Sequence, residues 1–349
     1  MSLKILKSMA NGYQGKGIND YELLEELGHF SSGRVWKAAD KHSGDVFAIK
    51  ELKRDWGLTS WKYSIHLREV KTHRDLNHPN IMRLKQLIKE NDVLYLVMER
   101  MDMTLKQLMD SREKKPFDNN EVRSIAGQLF QALAYMHKTG YFHRDLKPHN
   151  ILVSKDVVKI ADLCSAREVS RTGEDWYTEQ VTTLWYMAPE LLLLSWSYNP
   201  AVDMWAMGAI MAELFTSTPL FQGETDIDQI SKICSVIGTP TKETWEDGLQ
   251  LGKEIRTFEF PKEYEGVDEL AKLVPNADED AMSLIRWLCS WDHWKRPTAT
   301  EALQHPFFAS HYTVPKSIAP CSPKLKAPSS AKRRNPNRNL SQLKKARNE

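Results

Sequence analysis

Between His143 and Asn150 the chain reads His-Arg-Asp-Leu-Lys-Pro-His-Asn, and a further acid, Asp162, follows twelve residues after the asparagine. A carboxylate at Asp145, an ammonium two residues on at Lys147 and a carboxamide at Asn150 can face one small volume only from a loop, and Pro148 argues against a regular helix there. Any fold for this chain must hold that loop still and bring Asp162 beside it. The groups suit phosphoryl transfer. Asp145 can orient an attacking hydroxyl and accept its proton, Lys147 can offset charge on the moving phosphoryl group, and Asn150 with Asp162 can hold hard magnesium ions through oxygen. A solvated turn of scattered charges would need the whole octet by coincidence.

With 349 residues, 41% of them hydrophobic, the chain can bury a large core and divide into two globular parts. Cysteines 164, 234, 289 and 321 show neither metal-ligand spacing nor a disulfide framework. Free thiols in a reducing compartment, cytoplasm or nucleus, are the expectation. No apolar run approaches the roughly 20 residues of a membrane-spanning helix, so no membrane association is expected. Ser2 excludes an N-myristoyl glycine.

The formal charge of +2 hides an asymmetry: residues 316–349 hold ten Lys and Arg against Glu349 alone, leaving 38 basic and 45 acidic residues, a net of −7, in the rest. The tail, with Pro, Ser and Asn among its charges, is expected to be disordered. Lys332-Arg333-Arg334 makes it a candidate for polyanion or import-receptor binding, and a plain solubilising tail is the competing reading.

Residues 1–20, with glycines at 12, 15 and 17, read as a leader. From Tyr21 the pattern predicts a strand, a turn from Gly28 to Gly33, and a second strand through Val35. Val46-Phe47-Ala48-Ile49-Lys50 is an apolar strand ending in one lysine, and Glu69 follows 19 residues later in a predicted helix from about Ser60 to Asp75. Val93 to Met98 reads as a buried strand. Apolar residues from Glu121 to His137 recur at helical spacing, which predicts a central buried helix leading into the octet.

Together these motifs resemble the eukaryotic protein kinases. The resemblance covers residues 21–308 and implies an α+β, bilobal protein kinase fold: a small β-rich N-lobe (21–99) with a regulatory helix, a hinge (100–103) and a larger, mainly helical C-lobe (104–308), followed by the basic tail (309–349). It implies that Gly28 and Gly33 belong to the lid over the phosphates, that Lys50 reaches them and pairs with Glu69, and that Val35, Ala48 and Leu152 sandwich adenine. Backbone groups of Glu99 and Met101 would pair with the base beside Met98. ATP and Mg2+ are the implied cofactors, with Asn150 and Asp162 holding the metal. Lys147 resembles Ser/Thr rather than Tyr kinases. Glu190 should pair with Arg296, and Asp203 should hold the backbone of the catalytic loop.

The segment Leu67-Arg68-Glu69-Val70-Lys71, the Thr178-Glu179 start of the activation lip and Phe221-Gln222-Gly223 resemble the cyclin-dependent and mitogen-activated kinase group, nearest its male germ cell-associated and intestinal cell kinase subgroup. Residues Thr241 to Asn276 match that group's extra segment. Thr178 then becomes a regulatory phosphosite facing Arg144, with protein substrates bearing Ser or Thr and an upstream activating kinase as partners. Cilium or flagellum enters by this resemblance only.

Departures run against the pattern. Phe30 replaces the middle glycine of the lid, and the family's Asp-Phe-Gly is Asp162-Leu163-Cys164. His73 stands where an aliphatic stacks with Leu84, His143 and residue 163, Gln180 replaces the lip tyrosine, and Met187 replaces the arginine before Ala188-Pro189-Glu190. Cys164 restricts backbone rotation where glycine is usual. Gln180 and Met187 imply phosphorylation at Thr178 alone and a relaxed need for proline after the acceptor. Two further readings stay open: a weakly active or inactive kinase-fold scaffold that binds partner proteins, and a nucleic-acid binder using the tail, which lacks aromatics for base stacking.

Overall fold

The computed structural model describes residues 16–30, 33–53, 60–91, 93–169, 184–195, 198–255, 258–266 and 268–309. The described residues all belong to one unit, within residues 1–313. The lip residues Thr178 and Gln180 and residues 310–349 of the basic tail lie outside them.

The first half of the unit is a five-stranded antiparallel sheet in the order β1-β2-β3-β5-β4, with β1 at Tyr21–Phe30, β2 at Gly33–Asp40, β3 at Val46–Lys53, β4 at Leu84–Glu90 and β5 at Val93–Glu99. Alternation decides the burial of β3: Ile49 is buried with Ala38 and Val97, while Leu52 joins Val70, Leu94 and Leu96. Helix α1, Ser60–Asp75, lies in the chain between β3 and β4. Gly33 is required by geometry. Its φ is +143°, and a Cβ there would sit 2.0 Å from the Glu51 carbonyl oxygen, so β2 can approach β3 only without a side chain.

Residues 16–20, read from the sequence as leader, pack against this sheet. Ile18 N–H donates to Glu90 at 3.0 Å, Gln86 donates to the Lys16 carbonyl at 2.6 Å, and Lys16 pairs with Asp40. The first two are polar contacts to positions about 70 residues away, and nothing in the local pattern announces them.

The second half is mainly helical. Helix α2 (Leu105–Ser111) is followed by α3 (Asn119–Lys138), which starts at a capping box in which Asp118 accepts from the Glu121 N–H at 2.9 Å and Glu121 accepts from the Asp118 N–H at 2.9 Å. Its apolar stripe, including Val122, Leu129, Phe130, Leu133 and Met136, is fully buried. Helix α4 (Ala201–Thr216) is buried on every side from Val202 to Phe215, as expected of a helix without a polar face. Strand β6 (Met103–Thr104) precedes α2, and between α3 and α4 run the short strands β7 (Tyr141–Phe142), β8 (Ile151–Ser154), β9 (Val157–Ile160) and β10 (Arg167–Glu168). They form two small sheets, β6-β8-β9 and β10-β7. The extra segment from Thr241 docks by stacking Trp245 on Trp291, centroids 5.6 Å apart.

The expected Glu190–Arg296 pair is bidentate: both guanidinium nitrogens reach the carboxylate at 2.7 Å, with side-chain exposures of 1% and 0%. Arg296 also donates to the carbonyls of Ser290, Trp291 and Ala201, so its charge is fully solvated by protein. Glu190→Ala would strand that guanidinium. The expected loss is about 3–5 kcal/mol of stability, read as a lower urea midpoint at unchanged slope.

Candidate active site

The octet loop joins β7 to a 3-10 turn at Pro148–Asn150 that leads directly into β8. Proline at the first position of that turn supplies its φ and lacks the N–H that would otherwise go unused. The loop hangs from one buried carboxylate. Asp203, at the start of α4, accepts the N–H groups of His143 and Arg144 at 2.8 Å each and His137 Nε2 at 2.8 Å. Burial alone would raise the Asp203 pKa, but these donors bring it below the usual carboxylate value. The same two N–H bonds hold Arg144 at a φ of +72°, a left-handed conformation that an arginine adopts only when the surroundings fix it.

His143 is settled as the Nε2–H tautomer. It donates to the Ala161 carbonyl at 2.9 Å, and its Nδ1 accepts the Asp145 N–H at 3.2 Å. The Asp145 carboxylate thereby faces Lys147, whose Nζ lies 3.1 Å from Oδ2, and Asn150, whose Nδ2 donates to the same oxygen at 3.0 Å and to the Asp145 carbonyl at 2.8 Å. With its nitrogen so committed, Asn150 has its oxygen left as a ligand.

Asp162 arrives from the end of β9 in a left-handed conformation, φ +56°. Lys50 on β3 donates to Asp162 Oδ1 at 3.0 Å and to Glu69 Oε1 on α1 at 2.6 Å, with Lys50 and Glu69 4% and 1% exposed. Burial opposes the charge on Lys50, yet the two acids outweigh it and raise its pKa. Burial likewise opposes the charge on Asp162, and Lys50 brings its pKa well below the usual range. The pair is ionised and locked.

One cavity connects these groups to the sheet. It is lined by Leu27, Val35, Ala48 and Leu152 on its apolar walls, by Met98, Glu99 and Met101 along the strand β5 and the residues after it, and by Lys50, Glu69 and Asp162 at its polar side. All of the sequence-predicted adenine residues meet here. Leu27, Met82 and His73 also line it; Leu27 was detectable as the apolar residue before Gly28, whereas Met82 and His73 come from a turn and a helix with no local signal for this cavity. Gly28 pairs with Val35 across β1 and β2, so both ends of the predicted lid are strand residues.

Of the departures, those at 73, 163, 164 and 187 have described side chains. Leu163 is buried in the main core. Cys164 is not among the residues with positive φ, so in this conformation its side chain imposes no left-handed strain, and burial next to Asp162 raises its thiol pKa. His73 is buried, and burial lowers its pKa. Met187 packs against the main apolar core.

Asn150 and Asp162 supply hard oxygen donors. Among the described residues, no group of three His, Cys, Asp or Glu could hold a metal ion. A cation at this pair would complete its shell with phosphate and water oxygens, which fits magnesium, an ion that keeps much of its hydration.

The sequence profile of the protein kinase domain matches residues 21–308. The chain belongs to the protein kinase family. Among curated relatives, Cyclin-dependent kinase F-4 of Oryza sativa subsp. japonica is 51% identical over 298 residues, covering 85% of this chain and 63% of that protein. Serine/threonine-protein kinase MAK of Mus musculus is 42% identical over 330 residues (90% and 51%), and Serine/threonine-protein kinase ICK of Rattus norvegicus is 44% identical over 292 residues (83% and 45%). The similarity puts this chain in the cyclin-dependent and mitogen-activated kinase group near the MAK and ICK branch. The chain spans between 45% and 63% of the length of these three relatives. Protein kinases as a family use ATP and a divalent metal, and no helix among the described residues is long and apolar enough to cross a membrane.

Replacing Lys50 by Met leaves the buried Glu69 and the partly exposed Asp162 without their cation. Desolvation, the largest influence on Asp162, is then opposed only by the Cys164 hydrogen bond and His143, and the folded pKa is expected to rise above its unfolded value. An acid with a raised folded pKa loses stability as pH rises through that window. Lys50→Met is therefore expected to cost about 3 kcal/mol at pH 8 and clearly less at pH 5, measured by urea unfolding at both pH values.

Proposed function

We propose that this chain is an ATP-dependent serine/threonine protein kinase that transfers the γ-phosphoryl group to protein Ser or Thr with Mg2+. The observation that carries the reading is Lys50 bridging Glu69 and Asp162 at the polar side of the cavity, in the same fold that aims Asp145, Lys147 and Asn150 into one volume. Adenine would lie between Val35 and Ala48 on one side and Leu152 on the other, with Glu99 and Met101 pairing its edge. Gly28 and Gly33 would frame the lid, and the hinge would be residues 100–103 between lobes at 21–99 and 104–308. Lys50 orients the phosphates; Asn150 and Asp162 would hold magnesium, which supplies charge neutralisation at the phosphoryl group when bound. Asp145 accepts the proton of the attacking hydroxyl, and Lys147 offsets charge as the phosphoryl group moves. Catalysis is positioning and electrostatics, with no covalent intermediate on the protein.

Regulation by phosphate at Thr178 has physical support from the cations around Arg144. Burial, with Arg144 and Arg68 adding repulsion, pushes the Arg167 pKa down to about 10, and Arg68 is lowered by burial and by Arg144. A dianionic phosphate in this neighbourhood would relieve that repulsion. An upstream kinase would supply it. Free thiols at the three described cysteines suit the cytoplasm or nucleus, while a ciliary or flagellar place rests on subgroup resemblance alone. The scaffold reading draws no support from Cys164, whose backbone is unstrained here.

Phosphorylation of a positional Ser/Thr peptide array with Mg-ATP tests the reading. Asp145→Asn is expected to lower kcat about 10²- to 10⁴-fold while nucleotide binding persists, and Thr178→Ala is expected to lower activity of the phosphorylated enzyme. Wild-type protein with Thr178 phosphorylated and no transfer would overturn the assignment.

Met187 carries a second prediction. An apolar side chain packed on the core replaces the arginine that would support a pocket for proline after the acceptor. Peptides lacking that proline should be phosphorylated within about tenfold of those containing it, a gap of only ~1.4 kcal/mol in transition-state binding. Activity confined to Ser/Thr-Pro peptides would refute it.

A further inference from the structure

Among the described residues, the helical half buries three carboxylates almost completely, and they differ in what meets their charge. Asp203 accepts two backbone N–H groups and His137, and Glu190 accepts two guanidinium N–H groups of Arg296. The Glu213 side chain, on α4 and 1% exposed, accepts from the Tyr186 hydroxyl alone, at 2.6 Å. No cation is bonded to it. The other ionisable groups facing it are Lys106 and Asp110 of α2, which pair with each other and so largely offset. Burial therefore dominates and pushes the Glu213 carboxyl up to about 7, against the pull of the Tyr186 hydrogen bond and Lys106.

Tyr186 ends the 3-10 turn Leu184–Tyr186, which the Met187 N–H closes by donating to the Leu184 carbonyl at 2.9 Å. Tyr186, Met187 and Ala188 line a cleft shared with Arg144 and Asp145. One hydroxyl thus joins a buried carboxyl group to the turn beside the catalytic loop. A phenol bonds a carboxylate more strongly than a neutral carboxyl group, and 2.6 Å lies in the charge-assisted range. Detaching Tyr186 inside the folded chain would leave Glu213 buried with no donor, and its affinity for a proton would rise further. Closure of the turn is therefore favoured as pH rises, and it releases a proton.

We infer that Glu213 is a proton-sensitive anchor for the turn beside Asp145. Ionised, it holds Tyr186 and keeps Met187 and Ala188 in place for a substrate peptide; protonated, it lets the turn open. Both Glu213 and Tyr186 are positioning residues. The effect on a peptide rests on the kinase reading, whereas the opening of the turn does not.

Two measurements on the full chain test this, with Glu213→Gln, a neutral side chain of the same shape, and Tyr186→Phe, which removes the donor. The first is urea unfolding. The folded pKa lies above the ordinary 4.5, so the stability this group contributes is complete below that value and is lost as pH rises through the folded pKa. From pH 5 to pH 8 the unfolding constant of the wild type relative to Glu213→Gln is expected to rise about 10- to 100-fold. The second is hydrogen exchange at the Met187 amide, corrected for its intrinsic rate. Protection is expected to be about fivefold higher at pH 8 than at pH 6 in the wild type and independent of pH in both variants. A Met187 protection that does not rise in the wild type, or rises equally in either variant, would overturn the inference, as would a constant ratio of unfolding constants. Should Glu213→Gln fail to fold, the exchange comparison with Tyr186→Phe decides alone. Peptide transfer reports separately: the peptide KM should fall over the same interval with kcat little changed. Transfer absent at every pH, with Met187 protection still following Glu213, leaves the anchor standing and the kinase reading fallen.

Discussion

The Lys50 ammonium ties together three parts of the chain that share no local sequence: strand β3, the helix carrying Glu69, and the turn after β9 that presents Asp162. A buried cation between two acids is stable only when all three charges stay in place, because removal of any one leaves the remainder desolvated and uncompensated. The contact therefore sets the position of α1 against the sheet and fixes Asp162 at the polar side of the cavity at the same time. The cavity is what lies between these fixed parts. Its apolar walls come from sheet residues whose alternation places Val35 and Ala48 on the cavity side.

The loop from His143 to Asn150 is held by a different device. Asp203 neutralises two consecutive backbone N–H groups and His137, and it does so from inside a helix with no exposed face. The left-handed Arg144 and the outward-facing Asp145 carboxylate follow from that anchoring, since the backbone cannot relax without giving up bonds to a buried charge. Glu190 and Arg296 play a comparable part after Ala188-Pro189. In each case a buried ion spends its hydrogen-bonding capacity on backbone, which makes the geometry of an irregular segment as definite as that of a helix.

The residues that break the family pattern separate by what they do to backbone and to polarity. Cys164 leaves the local backbone unstrained because the left-handed position falls at Asp162 instead. His73 keeps the packing role of a buried side chain but brings a buried Nδ1 without a hydrogen-bond partner, which an aliphatic residue would not. Met187 exchanges a charge for a contact with the apolar core.

Much of the fold and candidate site was legible in the amino-acid sequence. Helix spacing marked the Glu121–His137 segment, the strand ending at Lys50 and the octet were readable by composition and order, and the bounds of α1 at Ser60–Asp75 matched the periodic run. These signals are local, carried by residues within a few positions of one another. The packing of residues 16–20 on the sheet, the clustering of Arg68 and Arg167 around Arg144, and the entry of His73 and Met82 into the cavity were not legible, because each depends on contacts between distant segments. So the order of the residues determined which chemical groups the site contains. Only the tertiary structure decided which of their atoms are committed to partners and which are left to meet a ligand, since burial and hydrogen-bond satisfaction exist only after distant segments have met.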